Sequence, residues 1–328
     1  MNAYPYPDAL PPKQQGRHGN RATPRAFVFA SDPQYPWTPA SDNGLEQSSE
    51  ARDLQSQALI EEQYTSIAEY REHHGGLGIP VMINGDMTAY GHGWQREFVY
   101  PKLQTLLKDN YHFGLGNHDY QNNIDDTFNN GAARDSILDL VKHHQTRVDT
   151  FDLQVESDET RDIYSGSLAY SMSFGQVRLI QLNNEPTYRT QFDSGWAWPV
   201  ERHYRFVIVD SLDWLEQQLQ EAHDHGQTVL LNLHKPDDWD GSREESMRFK
   251  AMIRHYRVSA LFAGHIHKEP GCFYRGNYGQ VPIYLSGSAS QSTFLLAELD
   301  DDGRAMSVKQ VSHNNWRDAE VIDRVALY

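Results

Sequence analysis

Cysteine and basic residues are both scarce in this chain of 328 residues. Its single cysteine, Cys272, cannot form an intramolecular disulfide, so the fold does not depend on an oxidising compartment. Lys and Arg together number 29 against 45 for Asp and Glu, which gives a formal net charge of -16. Such a surface repels polyphosphate backbones and disfavours a general nucleic-acid binder, whose footprint is basic. It does not exclude a small anionic substrate held by metal ions.

Long apolar runs are also missing. The chain has no stretch of about 18 apolar residues, which a membrane-spanning helix would need. The N-terminus has no basic start followed by an apolar run, so we expect no signal peptide and a cytoplasmic location, with signal-independent export left open. Residues 1–24 are rich in proline, glutamine and polar groups, and this composition predicts a flexible arm.

Several common catalytic signatures are absent from the sequence. There is no G-x-S-x-G nucleophile elbow and no Walker-type G-x-x-x-x-G-K-[ST] loop. A zinc cluster built from cysteines is impossible with one cysteine. A metal site built mainly from thiolates is therefore excluded.

Strand and helix patterns alternate along the chain. The apolar runs predict strands at 26–30, 79–83, 111–115, 165–174, 176–182, 203–209, 227–233, 258–262, 281–286, 293–299 and 305–311. The segments between them predict helices at 50–74, 94–109, 211–225 and 241–256. This alternation predicts an α/β fold. We expect one domain over 25–328, with an elaboration around 120–205 that carries a helix and two strands.

Polar clusters follow the predicted strands at five places. They are Asp32-Pro33-Gln34, Gly85-Asp86, Gly116-Asn117-His118-Asp119, His234 and Gly264-His265-Ile266-His267. In α/β sheets the ligand site lies beyond the carboxyl ends of the strands, so we expect these side chains to converge. Their mixture of oxygen and nitrogen donors suits Mn, Fe, Zn or Mg better than a metal that is selected by thiolates.

Two of the clusters hold pairs of donors that are spaced two residues apart. On an extended segment such residues point the same way, so Asp32 and Gln34 can meet at one place. The same holds for His265 and His267. If the chain turns there instead, the two histidines can serve neighbouring ions.

Taken in order, the clusters resemble the motif series of the calcineurin-like metallophosphoesterase superfamily. That series reads D-x-[H/Q], G-D, G-N-H-D, H and G-H-x-H, and the match spans residues 32–267. The resemblance implies an α/β fold in which two packed sheets form a sandwich flanked by helices. It also implies a dinuclear centre of two divalent ions, with Mn favoured among Mn, Mg, Fe and Zn.

The resemblance assigns a role to each motif residue. The implied ligands of the first ion are Asp32, Gln34 and His267. The implied ligands of the second ion are Asn117, His234 and His265. Asp86 would bridge both ions.

The third motif also implies two catalytic residues. His118 would contact neither ion, and it would protonate the leaving oxygen or stabilise the charge of the transferring phosphoryl group. Asp119 would orient His118 by accepting a hydrogen bond. Two ions about 3.5–4 Å apart would clamp the phosphoryl oxygens and generate a bridging hydroxide that attacks phosphorus in line. The implied reaction is hydrolysis of a phosphate mono- or diester without a covalent enzyme intermediate.

Gln34 is a departure from the most common form of the first motif, in which a histidine occupies that position. Some members of the superfamily carry this glutamine. An amide oxygen is a neutral and harder donor than an imidazole nitrogen. We therefore hypothesise that the first site binds its ion more weakly and prefers Mn or Mg over Zn.

Two other functions are compatible with the motifs. A metal-dependent nuclease is one alternative within the enzyme class, although the acidic net charge disfavours nucleic acid as a partner. A metal-binding scaffold that has lost turnover is the other, and it predicts decayed motifs. We expect the substrate to be a phosphorylated small molecule or protein, because the shared motifs recognise only the phosphate.

Aromatic residues next to the motifs are the last group of interest. They can line a substrate pocket or simply pack under the loops: Tyr35, Trp37, Tyr90, His92, Tyr120 and Trp239. The segment 192–199 is a second aromatic group, and it includes Trp196 and Trp198. We hypothesise that this segment forms a lid or one wall of the substrate cleft.

Overall fold

The computed structural model describes residues 21–126, 129–195, 202–273, 278 and 280–327. Residues 1–20 of the predicted arm, and Trp196 and Trp198 of the predicted lid, lie outside these residues. Residues 21–24 contact the rest of the protein, since Arg21 forms a β-bridge with Phe174 and an ion pair of 2.6 Å with Asp149.

The helices and strands alternate as the sequence predicts. Among the described residues, the α-helices are α1 (Pro39–Asp42), α2 (Ser49–His74), α3 (Gly93–Leu107), α4 (Gly131–His144), α5 (Leu212–Asp224) and α6 (Arg243–His255). The strands are β1 (Ala26–Ala30), β2 (Val81–Ile83), β3 (Tyr111–Phe113), β4 (Thr150–Phe151), β5 (Gln154–Ser157), β6 (Arg161–Gly166), β7 (Tyr170–Phe174), β8 (Val177–Gln181), β9 (Thr190–Ser194), β10 (His203–Ile208), β11 (Thr228–Asn232), β12 (Ala260–Ala263), β13 (Gly271–Phe273), β14 (Ile283–Leu285), β15 (Phe294–Leu299), β16 (Ala305–Val311) and β17 (Glu320–Ala326). We find no helix in this part of the chain with the length and apolarity that a membrane crossing requires.

Local capping explains where the long helices begin and end. The Ser48 side chain accepts a hydrogen bond from the backbone N–H of Ala51 and starts α2, and Gly75 with a φ of 156° ends it. At the start of α6, Ser242 and Glu245 form a reciprocal capping box. These polar residues satisfy backbone donors that have no partner within the helix.

The described strands form two large sheets and one small sheet. The first large sheet has the order β17-β16-β15-β1-β2-β3, and the second has the order β13-β14-β12-β11-β8-β7-β4. In the first sheet β1, β2 and β3 run parallel, and in the second sheet β8, β11, β12 and β14 do so. The small sheet has the order β5-β6-β10-β9.

Aromatic residues hold the two large sheets face to face. Phe29 of β1 stacks on Phe262 of β12 with ring centroids 3.5 Å apart, and Phe27 meets Phe174 edge to face at 6.0 Å. Along β11, Leu230 points into this central core and the next residue enters a second core with α5 and α6. On the first sheet, α2 packs within the central core. The predicted α/β sandwich with flanking helices is therefore confirmed.

The elaboration around 120–205 holds more strands than predicted. Besides α4 it contains β4 to β9, and β5 and β9 belong to the small sheet. The predicted strand 165–174 was wrong, because β6 ends at Gly166 and β7 begins at Tyr170. The chain turns between them, where Leu168 has a φ of 63° and the Ser167 backbone N–H donates to Asp152 Oδ2 at 2.9 Å.

Candidate metal centre

Five strand ends place the polar clusters at one edge of the sandwich. The strands β1, β2 and β3 are neighbours in the first sheet, and β11 and β12 are neighbours in the second. Their carboxyl ends are in register, since Ala30 pairs with Ile83 and Ile83 with Phe113. The loops that follow contain all seven predicted ligands, and side-chain contacts together with the backbone N–H of His265 join those residues into one cluster.

The backbone turns sharply within these loops. Asp32, Gln34, Asp86 and His265 all have a positive φ, between 36° and 72°. Non-glycine residues adopt such angles at a cost of about 1–3 kcal/mol each, and such strain clusters at functional sites. Because these turns break the extended geometry, His265 and His267 face different parts of the centre. This is the arrangement in which the two histidines can serve neighbouring ions.

The first half of the centre lies around Asp32. Its Oδ1 is 3.1 Å from His267 Nε2, and its Oδ2 accepts the backbone N–H of His265 at 3.0 Å. Gln34 Nε2 lies 3.5 Å from Asp86 Oδ2. The other amide atom, Gln34 Oε1, is buried and has no hydrogen-bond partner among the described residues. It is therefore an oxygen donor available to a cation.

The second half of the centre lies around His234. Its Nδ1 is 2.7 Å from the carbonyl oxygen of Asn84, so the ring donates there and turns Nε2 inward. Nε2 is 3.2 Å from Asp86 Oδ2 and 3.1 Å from Asn117 Oδ1. The ligand atoms of Asp86, His234 and His265 all lie within 4.8 Å of one another.

Pairs of acids and histidines contact each other in the centre. Burial lowers the pKa of His234, but the adjacent Asp86 carboxylate outweighs this effect and raises the pKa to about 9. The pKa of Asp86 is in turn held well below its usual range, because His234 more than offsets the effect of burial. For His265, burial and then the nearby His234 charge lower the pKa to about 4.

His267 lies between two carboxylates. Its Nε2 faces Asp32, while its Nδ1 is 2.6 Å from Asp42 Oδ1. Burial opposes the charged form of His267, but Asp32 and then Asp42 raise its pKa to about 10. Burial likewise opposes ionisation of Asp42, and contacts with His267 and its other partners lower the pKa of Asp42 to about 2.

His118 stands beside the cluster rather than within it. Its backbone N–H donates to Asp86 Oδ1 at 2.9 Å, and its ring Nδ1 is 2.8 Å from the carbonyl oxygen of Ala89. This contact fixes the ring and leaves Nε2 as the atom that can act on a substrate. Trp37 packs edge to face on the ring, with centroids 5.6 Å apart.

Asp119 does not have the contact that the sequence predicted. Its carboxylate accepts backbone N–H groups from Gly116 at 2.9 Å, Met87 at 3.1 Å and Thr88 at 3.2 Å, and it is fully buried. The predicted hydrogen bond to His118 was wrong, because these amides turn the carboxylate inward and a carbonyl holds the His118 ring. Burial and the Asp86 charge raise the pKa of Asp119 to about 7.

Gly116 lets the loops of the two large sheets approach each other at Asp86. A Cβ atom at position 116 would collide with Asp86 Oδ1 and would lie 2.7 Å from both the Asp86 backbone nitrogen and His234 Cδ2. A side chain there would therefore displace the central carboxylate. The absence of a side chain at Gly116 therefore allows Asp86 and His234 to lie close together.

A cleft of about 380 Å³ opens onto the centre. It is lined by Gln34, Trp37, Ser41, Asp42, Asp86, His118, His265, Ile266, His267, Lys268 and Glu269. Among the predicted aromatic wall residues, Trp37 lines this cleft and Tyr90 is 46% exposed. Tyr35 and Tyr120 are buried, and Trp239 packs on Phe249, so packing explains these three.

The donor set fits divalent metal ions. It combines carboxylate oxygens, amide oxygens and imidazole nitrogens, which suit the first-row ions and magnesium. His234 and His267 each use Nδ1 to hold a fixed acceptor and turn Nε2 toward the carboxylates. Ligating histidines have this arrangement in metalloproteins. The buried oxygen of Gln34, which has no hydrogen-bond partner among the described residues, supports the same conclusion.

Sequence reasoning missed Asp42 and the two carbonyl groups that orient histidine rings. Asp42 lies 225 residues from His267, and the carbonyls of Asn84 and Ala89 are backbone groups that any residue provides. No sequence motif with a fixed spacing connects these partners to the histidines that they contact. The one available signal was the Thr-Pro-x-Ser-Asp segment after Trp37, which predicts a capped turn next to the first motif.

Comparison with known proteins identifies the family. A model described as calcineurin-like phosphoesterase matches residues 27–269, which hold all five polar clusters. No curated protein matches the chain. Similar solved structures include a dimetal phosphatase from Danio rerio, at 15% identity over 88% of this chain and 97% of that chain, with a TM-score of 0.49.

Two further solved structures are similar to this chain. A protein of Thermus thermophilus is 10% identical over 89% of this chain and 100% of that chain, with a TM-score of 0.44. A protein serine/threonine phosphatase from Saccharomyces cerevisiae is 9% identical over 88% of this chain and 81% of that chain, with a TM-score of 0.33. Such low similarity carries no information on substrate. The family model confirms the resemblance in the motifs, and the chain belongs to the calcineurin-like phosphoesterase family, whose members hydrolyse phosphoesters with a dinuclear divalent metal centre.

Proposed function

We propose that this protein hydrolyses a phosphate mono- or diester with two divalent ions, of which Mn is favoured. The first ion would be held by Asp32, Gln34 and His267. The second would be held by Asn117, His234 and His265. Asp86 lies between the two groups and would contact both ions.

The observation that carries this proposal is the shared orientation of His234 and His267. Both rings are tethered at Nδ1 and present Nε2 to a carboxylate at 3.1 to 3.2 Å. A metal-binding scaffold that has lost turnover predicts decayed motifs, whereas His118 and every expected ligand position carry a usable group here. Divalent ions at this place would supply positive charge to the phosphoryl oxygens and lower the pKa of water.

His118 acts as the general acid or charge stabiliser in this proposal. A protonated His118 donates Nδ1–H to the carbonyl oxygen of Ala89 and keeps Nε2–H for the leaving oxygen. The tether and the Trp37 ring limit the rotation of the imidazole, so the proton is held at one side of the cleft. Asp119 supports the loop that carries His118 through its three backbone contacts.

The cleft favours a phosphorylated small molecule or an exposed phosphorylated protein segment over nucleic acid. Lys268 lies in the cleft beside Glu269, and the whole chain carries a net charge of -16. A polynucleotide would need a basic track beyond the reacting phosphate. The recognised group is therefore one phosphate, held by the metal ions and His118.

Metal analysis followed by a paired assay tests the proposal. Metal-free protein is loaded with Mn, Mg or Zn and given p-nitrophenyl phosphate and bis-p-nitrophenyl phosphate as test monoester and diester. We expect two ions per chain and metal-dependent turnover in the wild type. His118→Ala should lower kcat by about 10²–10⁴-fold and keep both ions, since this is the usual contribution of a general acid.

Matched variants separate chemistry from folding. Asp86→Ala should lose both ions and all turnover, whereas Asp301→Ala, in an exposed turn, should change neither. His73→Ala, on the exposed end of α2, is the control for His118→Ala. Wild-type turnover no higher than that of Asp86→Ala with every metal and both esters would overturn the proposal. Cleavage of a polynucleotide alone would favour the nuclease alternative.

A further inference from the structure

A buried carboxylate lies directly behind His267. Asp42 Oδ1 is 2.6 Å from His267 Nδ1 and also accepts the indole N–H of Trp37 at 2.7 Å. Its Oδ2 accepts the hydroxyl of Ser290 and the amide N–H of Gln291, both at 2.6 Å. The Asp42 side chain is only 4% exposed. Four donors therefore hold this carboxylate in one orientation.

The backbone of Asp42 is fixed as well. It is the last residue of α1, and its N–H donates to the Thr38 carbonyl oxygen at 3.1 Å. Thr38 caps this short helix through a reciprocal pair of contacts with Ser41. Because α1 follows the first motif closely, the segment that carries Asp32 and Gln34 also delivers the acceptor for His267.

The contact with Asp42 determines which nitrogen of His267 is available. Nδ1 must carry hydrogen to donate to the carboxylate, so the lone pair of a neutral ring lies on Nε2. Nε2 is the atom that faces Asp32 at 3.1 Å. A carboxylate partner also increases the basicity of a ligating imidazole.

The two halves of the centre differ in this respect. His234 is backed by the neutral carbonyl of Asn84, whereas His267 is backed by a charged carboxylate. The half that contains His267 and the Asp42 carboxylate also contains Gln34, which offers a neutral amide oxygen as its donor. The two features act in opposite directions on the binding of an ion.

We propose that Asp42 is a positioning residue that orients and strengthens His267 as a ligand of the first ion, and so offsets the weak donor Gln34. This inference rests on the proposed function, because it assumes that His267 binds a metal. From the motif alone, the first site was expected to bind its ion weakly because it contains Gln34. With Asp42 behind His267, the affinity of the first site depends on Asp42 as well as on Gln34.

A double-mutant cycle on metal affinity tests the proposal. Metal-free protein is titrated with Mn²⁺ while the electron paramagnetic resonance signal of free Mn²⁺ is followed, which yields a dissociation constant for each site. Asp42→Asn should weaken one site by about 10–100-fold, the usual effect of losing such a partner, and leave the other unchanged. Asp301→Asn removes the same charge from an exposed turn and should change neither constant.

The second arm of the cycle shows whether Asp42 acts through His267. His267→Ala should weaken the same site, and adding Asp42→Asn to it should have little further effect, because the two residues form one unit. Additive losses would show that Asp42 only supports the fold, and they would overturn the proposal. Unchanged constants in Asp42→Asn would overturn it as well.

The controls keep this test separate from the proposed function. A wild type that binds no Mn²⁺ would refute the proposed function itself, and with it this inference. A wild type that binds two ions, with Asp42→Asn doing the same at unchanged affinity, would refute only the role of Asp42. If Asp42→Asn does not fold, the imidazole ¹⁵N spectrum of the Zn²⁺-loaded wild type decides. Hydrogen on Nδ1 of His267 is expected, and hydrogen on Nε2 would overturn the proposal.

Discussion

Replacing Asp119 with alanine should destabilise the protein. The carboxylate accepts three buried backbone N–H groups, from Gly116, Met87 and Thr88, at 2.9 to 3.2 Å. A buried donor that loses its partner costs about 1–3 kcal/mol. Alanine also removes a carboxylate whose pKa is raised to about 7, so its charged form is unfavourable in the native state at pH 8 and its removal returns much of this loss. The expected net decrease in the free energy of unfolding is about 1–3 kcal/mol.

The assay is chemical unfolding of the metal-free protein, followed by circular dichroism at pH 8. This pH lies above the pKa of Asp119, which is about 7, so the carboxylate is ionised in the native state. Asp119→Asn keeps one acceptor oxygen and removes the same charge, so it should lose less than Asp119→Ala. The control Glu62→Ala lies on the exposed face of α2 and should stay within about 0.5 kcal/mol of the wild type.

Two results would refute this reasoning. An Asp119→Ala protein as stable as the Glu62→Ala control would show that the three amide contacts do not matter. An Asp119→Asn enzyme that keeps its metals but loses as much turnover as His118→Ala would restore the direct role that the motif resemblance implied for Asp119. We expect it to keep most of its turnover, because the carbonyl of Ala89 holds the His118 ring.

Three further predictions concern Gly116, the protons released on metal binding, and the buried histidine His143. Gly116→Ala should abolish metal binding, since its Cβ would displace a central carboxylate, whereas Gly78→Ala has open space and should bind two ions, as measured by metal analysis. At pH 7, binding of two Mn²⁺ ions should release at least two protons, because His234 and His267 have pKa values of about 9 and about 10 and must lose their protons to act as ligands. Ionisation of a metal-bound water would add to this number. Calorimetry in buffers of different ionisation enthalpy measures the number of protons, and no release would contradict the assignment. Burial lowers the pKa of His143 to about 4, below its value of about 6.5 in the unfolded chain, so the unfolded state binds the extra proton and the free energy of unfolding should fall as the pH drops from about 6.5 to about 4. His143→Gln should flatten that slope in unfolding titrations, and an unchanged slope would exclude this residue as its source.

The gathering of the candidate ligands could be predicted from the sequence because these residues follow apolar strands directly. Each of Asp32, Asp86 and His234 comes within three residues of a strand end, and parallel neighbouring strands carry such residues to one edge. The hydrophobic pattern that places the strands therefore also places the ligands. Gathering of the seven residues was predicted on these grounds, and their action as ligands stays a prediction.

Other features could not be predicted because their partners are far apart in the chain or lie in the backbone. The acceptor of the His118 ring is the carbonyl of Ala89, a group without any side-chain signature. Asp42 depends on a contact with His267 that only the folded chain creates. In the small sheet, β10 was predicted as the strand 203–209, but β5 was missed for a different reason. Strand β5 is fully exposed, so it shows no apolar run.

The measurement that tests the central claim most directly is anomalous X-ray diffraction from crystals of the Mn²⁺-loaded protein. We predict two manganese peaks on either side of Asp86. One should lie at ligand distance from Asp32, Gln34 and His267, and the other from the remaining three ligands, which are Asn117, His234 and His265. A single peak, or peaks outside this edge of the sandwich, would contradict the proposed centre.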